Sequence, residues 1–415
     1  MAEEKVERVY KWVFLRGAFF LNWRRNLWTL AIAVVLSSSS YTMVVPFLPL
    51  YLMDLGVQGD AVPLWSGVIF SSTFLVAAVM APFWGRSADK GGKRRMVIRA
   101  GLSLAIVYFL GAFVQSPVQL LIVRILQGFA NGFLPAAMAI VASTCPAESM
   151  GFSLGFMQTG VLIGGILGPL LGGTLSHFFG MRASFVIAAA IIAFGTLGVK
   201  LFVGEPENHF APSESSILDD FKMAAANRNL IEMLLLLFFV QAVSMVLQPL
   251  ITLYIAQLQG QAEGIVLTAG IVFSLAGIAG AIAAPLWGRA GQRSSFRKIM
   301  VMAFVGAGLF NLGQFFAGDI YWFSVLQFLY GLFIVGAYPS INTIAVSCVG
   351  EDCRGRIFGL TTTANQLGSM TGPLIGGVIS SWIGIRAVFL FTGCMLLILG
   401  AVVLLNINGR RSRTA

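Results

Sequence analysis

The chain has 415 residues, of which 57% are hydrophobic and only 11% charged, with a mean hydropathy of +0.86 and a formal net charge of +10. A soluble domain carries roughly 25% charged residues, so a water-soluble globule is excluded. Positive charge set between apolar runs is a membrane-topology signal, not a nucleic-acid footprint, and no nucleic-acid partner is expected.

Residues 1–26 read as a polar cytoplasmic tail. Within it, the run 12–21 resembles a signal-peptide core but is interrupted by Arg16, and no small-residue cleavage site follows. It reads instead as an interfacial helix with Trp12, Phe19 and Trp23 at headgroup level. Apolar stretches near the ~20 residues that cross a bilayer then recur at 27–52, 64–84, 96–115, 118–143, 151–176 and 183–203. A polar connector occupies 204–228, with Pro206, Pro212, Ser213, Ser215 and Ser216 forming a tether and a short amphipathic piece at 217–226. Spans resume at 229–257, 265–286, 299–317, 321–347, 358–380 and 383–406. The expectation is an all-α membrane protein of twelve transmembrane helices, with one bundle over 27–203, a second over 229–408 and a cytoplasmic tail at 409–415.

With both termini placed in the cytoplasm, all but three of the 27 Lys and Arg residues fall on the inner side; Arg182 and Arg386 face outward and Arg124 sits inside a span. That asymmetry obeys the positive-inside rule. The four cysteines, at 145, 348, 353 and 394, lack metal-ligand spacing, and His177 and His209 lie near a span end and in the connector. No nucleophile–base pair, metal cluster or phosphate-binding loop is legible, so neither an enzyme nor a metal site is expected.

The two bundles are copies. Gly164-Gly165-Ile166-Leu167-Gly168-Pro169-Leu170-Leu171-Gly172-Gly173 returns as Gly368-Ser369-Met370-Thr371-Gly372-Pro373-Leu374-Ile375-Gly376-Gly377. In the same order, 46–51 is echoed by 249–254, Trp84-Gly85-Arg86 by Trp287-Gly288-Arg289, and Gly180-Met181-Arg182-Ala183 by Gly384-Ile385-Arg386-Ala387. Internal repeats of this kind place a binding site between the copies.

Three motifs carry the functional reading. The loop after the second span, Gly85-Arg86-Ser87-Ala88-Asp89-Lys90-Gly91-Gly92-Lys93-Arg94-Arg95, reverses the chain tightly, which needs glycine. Asp89 beside several cations can pair with them or face a helix N-terminus; the alternative is a positive-inside loop with an incidental acid. Gln292 stands at the equivalent place in the second copy. As a gate latch, Asp89 would meet Arg354 and Arg356 of the other half, while Glu148 and Asp352 would hold the basic loops of their own halves. In the fourth span Arg124, Gly128, Asn131 and Pro135 share a helical face. An arginine there needs a cavity or a partner, unless it only pins helices through backbone carbonyls. Its repeat counterpart is Gln327. In the fifth span Gly160, Gly164, Gly168 and Gly172 form a ladder that lets another helix approach backbone to backbone, next to Pro169.

These strings resemble the major facilitator superfamily. The loop is similar to its G-x-x-x-D-R-x-G-R-R/K signature, with Lys90 where Arg is usual, and 120–128 is similar to its L-x-x-x-R-x-x-Q-G motif. The ladder with Gly168-Pro169 and Gly172-Gly173 resembles the motif of the antiporter branch, and 22–27, 46–51, 65–67 and 81–85 resemble the twelve-span bacterial drug/proton antiporters. The resemblance implies two pseudo-symmetric six-helix bundles working by alternating access. It implies secondary active efflux of drugs or amphipathic small molecules in exchange for protons, by a monomer in a bacterial cytoplasmic membrane. No cofactor is implied beyond the proton gradient. A lipid-headgroup or sugar exporter, or a facilitator without proton coupling, is the alternative.

The alternative is kept open because no carboxylate falls near a span centre: Asp54, Asp89 and Glu232 are the nearest candidates for proton coupling. Cavity candidates are instead polar, aromatic or thioether side chains: Tyr41, Met43, Arg124, Asn131, Met157 and Gln158 from the first half, and Gln241, Ser244, Gln248, Tyr330, Tyr338, Asn365 and Gln366 from the second. A cation without an acid suits anionic or neutral substrates better than dications.

Overall fold

The computed structural model describes residues 22–205, 227–260, 264–349 and 354–414, with side chains at all of these except 89–91, 147, 354–356, 358 and 407–414. The connector piece at 217–226, the interfacial run 12–21 and Asp352 lie outside the described residues. Every regular element described is helical. The first half contains α1 (Trp23–Met43), α2 (Leu48–Asp54), α3 (Ala61–Gly91), α4 (Lys93–Gly111), α5 (Pro117–Ala130), α6 (Phe133–Thr144), α7 (Met150–Phe179) and α8 (Met181–Phe202). The second contains α9 (Arg228–Leu247), α10 (Ile251–Gln259), α11 (Ile265–Arg293), α12 (Phe296–Phe315), α13 (Ile320–Ile334), α14 (Ala337–Ser347), α15 (Arg354–Ile383) and α16 (Ile385–Thr414).

Among the described residues, nine helices or collinear helix pairs are long and apolar enough to cross a membrane, and α1 with α2, bent by 46°, makes a tenth. Two more, α4 and α15, have the length without the composition: Lys93, Arg94, Arg95 and Arg99 load one end of α4, and glycine, serine and threonine dilute α15. The expected twelve is therefore met in membrane-length segments, but not in segments that pass as purely apolar. The first span begins at Trp23 rather than 27, where the Asn22 side chain caps the helix by accepting from Arg24 N–H (3.1 Å). The last helix runs on to Thr414, past the expected boundary at 408.

The duplication is visible bond by bond. Tyr51 Oη donates to the Gly111 carbonyl (3.1 Å), and Tyr254 Oη to that of Gln314 (3.1 Å). Phe185 packs on the first tyrosine and Phe389 on the second. Trp84 Nε1 donates to the Phe129 carbonyl (2.8 Å), and Trp287 Nε1 to that of Leu332 (2.7 Å). Ser116 caps α5 and Asp319 caps α13. Each pair keeps the repeat spacing, so both copies are held by the same side-chain-to-backbone bonds.

Within a half, glycines set the closest contacts. A Cβ on Gly160 would stand 3.2 Å from the Ala31 carbonyl; on Gly164, 2.7 Å from that of Val35; on Gly168, 2.5 Å from that of Ser39. At Gly172 it would run into the Met43 carbonyl. Thr42 Oγ1 adds a bond to the Gly164 carbonyl (3.1 Å). The second half repeats this with Gly368, Gly372 and Gly376 against Phe238, Ala242 and Val246 of α9. Large apolar side chains cover the outside, with Tyr321 and Trp382 more than four-fifths exposed at the end opposite the basic loops, as an interfacial belt requires.

Gly172→Val is expected to destabilise the protein by about 1–3 kcal/mol or more, because the Met43 backbone cannot yield. Gly165→Ala, on the same helix with nothing within 4 Å, should shift stability by less than ~1 kcal/mol. Thermal unfolding of the two purified variants checks both.

Candidate functional site: a one-sided cleft between the halves

The halves meet through two helix pairs, α3 with α15 and α7 with α11. At the end away from the basic loops these pairs touch backbone to backbone. A Cβ on Gly67 would strike the Pro373 carbonyl, and one on Gly270 the Pro169 carbonyl. Gly173 lies against Val266 and Gly270, Gly377 against Pro63 and Leu64, and Ser274 Oγ donates to the Ile166 carbonyl (2.7 Å). Followed toward the basic end, each of the four helices carries a second glycine eighteen residues away: Gly85, Gly155, Gly288 and Gly359. Eighteen residues are about five turns, so the two glycines of each pair share a face. All four of these second glycines have nothing within 4 Å. The same helix faces that are sealed at one end diverge at the other, leaving a cleft open on the basic side.

Two polar clusters lie at mid-span. In the first half Arg124 is 4% exposed; its Nη1 donates to Gln127 Oε1 (2.9 Å), and Gln127 Nε2 donates to Tyr108 Oη (2.9 Å). Tyr41, half-buried, is an electrostatic neighbour of Arg124, the Phe70 ring centroid lies 5.9 Å from Cζ, and Thr73 Oγ1 donates to the Arg124 carbonyl. In the second half Gln241 Nε2 donates to Ser369 Oγ (2.9 Å), and Tyr338 Oη donates to Gln241 Oε1 (2.9 Å) and lies 3.1 Å from Ser244 Oγ. Tyr330 also reaches Ser244. Gln248 Oε1 and Asn365 Oδ1 are buried acceptors without a partner among the described residues. Gln366 is half-buried on α15, and Gln158 is exposed on α7, about two turns toward the basic end from Ile166.

Two expected cavity residues are elsewhere. Met43 and Met157 are fully buried in the first-half core, because the glycine ladder draws α1 and α7 together over them. Asn131 ends α5, with the helix broken just beyond it at Gly132 (φ +119°), and its exposed side chain turns back so that Oδ1 accepts from the Gly132 N–H (2.7 Å).

The gate residues divide similarly. Asp89, Arg354 and Arg356 have side chains outside the described residues, and Glu148 is exposed on the single turn Ala147–Ser149. Lys93 and Arg94 begin α4, whose N-cap is Gly92 and offers no side chain. Glu205, not anticipated from the sequence, fills that role: its carboxylate accepts from the N–H of Lys93 (2.8 Å) and of Arg94 (2.9 Å). Asn26 and Gly204 exchange two hydrogen bonds just beside it. Of the proton-coupling candidates, Asp54 rims a surface recess of 420 Å³ with Tyr51 and Arg182. Glu232 is paired with Arg297 (3.1 Å) and accepts from Asn406 (3.1 Å), which ties α9 to α12 and α16.

A family model described as the Major Facilitator Superfamily matches residues 30–281 and 233–414. Multidrug resistance protein MdtG of Escherichia fergusonii is 34% identical over 91% of this chain and 93% of its own length. MdtG of Proteus mirabilis is 34% identical over 90% and 94%. Among solved structures, the nucleoside transporter NupG superposes with a TM-score of 0.75 at 18% identity, covering 91% of this chain and 98% of its own. A bacterial homologue of the human lysosomal transporter Spinster, in an inward-facing and occupied conformation, gives 0.76 at 17% identity, covering 91% and 95%.

Glu232→Gln should lower stability by about 1 kcal/mol through loss of the Arg297 pair. Thermal unfolding of the purified parent and variant reads the effect.

Proposed function

The chain belongs to the major facilitator superfamily, and from that premise we propose that it is a secondary active transporter that expels drugs or other amphipathic small molecules in exchange for protons. Its relatives named for multidrug resistance support efflux as the direction. The observation that carries the mechanism is the wedge between the halves. Faces sealed at Gly67, Gly173, Gly270 and Gly377 are open five turns away at Gly85, Gly155, Gly288 and Gly359. Two rigid lobes that rock about the mid-span polar clusters would close the open glycine faces as the sealed ones part. With the basic loops in the cytoplasm of a bacterial cell, the cleft described here is the inward-facing state, ready to load substrate. The loop bearing Asp89 would then latch the cytoplasmic ends together when the cleft closes. A monomer suffices, since each half of the site comes from the same chain, and the proton gradient is the energy source.

Addition of a substrate to reconstituted vesicles carrying an imposed pH gradient should collapse that gradient in proportion to transport. Export without proton movement would favour a facilitator. A response to sugars or lipid headgroups and not to drugs would favour that exporter class. Gly155→Val and Gly288→Val meet open space here, so the variants should unfold within ~1 kcal/mol of the parent, yet export should fall at least tenfold because the basic end can no longer shut.

A further inference from the structure

Arg124 carries an unmet demand. Its Nη1 is engaged by Gln127, but Nε and Nη2 are buried without a hydrogen-bond partner among the described residues. Those two nitrogens form the side edge of the guanidinium, a pair of parallel donors at the spacing of two carboxylate oxygens. The ion pair found among the described residues joins Arg297 to Glu232, not Arg124. All 17 acids of the chain fall in tails, loops or near span ends. A buried cation with open donors is costly in a membrane, and the second copy avoids the cost: Gln327, at the equivalent position, is neutral and accepts from Gln314 Nε2 (2.8 Å). The first half has kept a charge that its twin does without.

The surroundings tell how a ligand would reach it. Phe70 and Tyr108 wall the guanidinium and are buried, whereas Tyr41, its neighbour on α1, is partly exposed. Access therefore runs past Tyr41. In the second half the position equivalent to Tyr41 is Ser244, which belongs to the cluster with Gln241 and Tyr338. The cluster around Gln241 therefore occupies, in the second half, the place that Tyr41 holds in the first.

We propose that Arg124 is the docking point for an oxyanion, a carboxylate above all, on the transported molecule. The exported class is then amphipathic acids: the acid group takes the free Nε/Nη2 edge, and the body of the molecule lies toward Gln241, Ser244 and Tyr338. This rests on the export reading above and narrows its substrate. The pairing completes a fork that no side chain among the described residues completes, and neutralises the one cation that is buried among them.

The test compares 2-naphthoate with its uncharged isostere 2-naphthamide, binding to purified full-length protein at neutral pH by intrinsic fluorescence. The parent protein should bind the acid at least tenfold more tightly than the amide. Arg124→Gln should bring the acid down to the amide's level, and Arg124→Lys, which keeps the charge without the fork, should recover only part of the preference. Equal affinities in the parent protein, no binding of the acid, or a preference that survives Arg124→Gln overturns the assignment. The parent comparison needs no variant, so a poorly folding substitution leaves the test intact. Proton-coupled export of neutral drugs with no preference for acids would sink this inference and leave the export reading standing.

Discussion

Helix-to-helix contact without side chains is the constraint on which the rest of this structure depends. In a bilayer, apolar residues gain little by leaving lipid for protein, so two helices associate only where shape lets their backbones approach and bond. Gly164, Gly168 and Gly172 do this between α7 and α1, and Gly368, Gly372 and Gly376 do it between α15 and α9. Each half is thereby a stiff block. Because α7 and α15 carry glycine on a second face too, at Gly173 and Gly377, and α11 and α3 meet them with Gly270 and Gly67, the blocks also touch each other along smooth, small-residue strips. A block interior knitted by ladders and a block boundary made of small-residue strips is the construction that the proposed rocking requires.

Symmetry supplies the scaffold and asymmetry supplies the chemistry. The tyrosine, tryptophan and capping bonds recur in both copies with nearly the same lengths, from Tyr51 and Tyr254 to Trp84 and Trp287. At two motif positions the residue is charged in the first half and neutral in the second: Arg124 against Gln327, and Asp89 against Gln292. The polar clusters differ in kind as well. One is a cation with aromatic walls; the other is a set of uncharged donors and acceptors around Gln241. Under the proposed function, one end of such a crevice would meet charge on the transported molecule and the other its neutral polar groups.

Much of this was legible in the chain because membrane folding simplifies the code. Length and hydropathy set the spans, the repeat set their pairing, and the glycine spacing in the fifth span set its neighbour's approach. What escaped was non-local or conformational. Glu205 caps a helix 112 residues back in the chain, and nothing around it marks it as a cap. Asn131 sits in perfect helical register with Arg124, but Gly132 breaks the helix after it, and periodicity cannot see a break that one glycine makes. Met43 and Met157 are as apolar as cavity liners, and only packing separates a wall from a core. Glu232 could be placed by depth but not by partner, since Arg297 lies 65 residues away.

The clasp around Glu205 has a mechanical corollary. The carboxylate that organises the start of α4 belongs to the residues that follow α8, and Asn26 fixes the adjacent Gly204 at both its N–H and its carbonyl. A displacement of Gly204 and Glu205 is therefore passed to the Gly92–Arg94 turn before it reaches the mid-span residues, so the exit from the first lobe and the basic turn at the mouth of the cleft move as one piece.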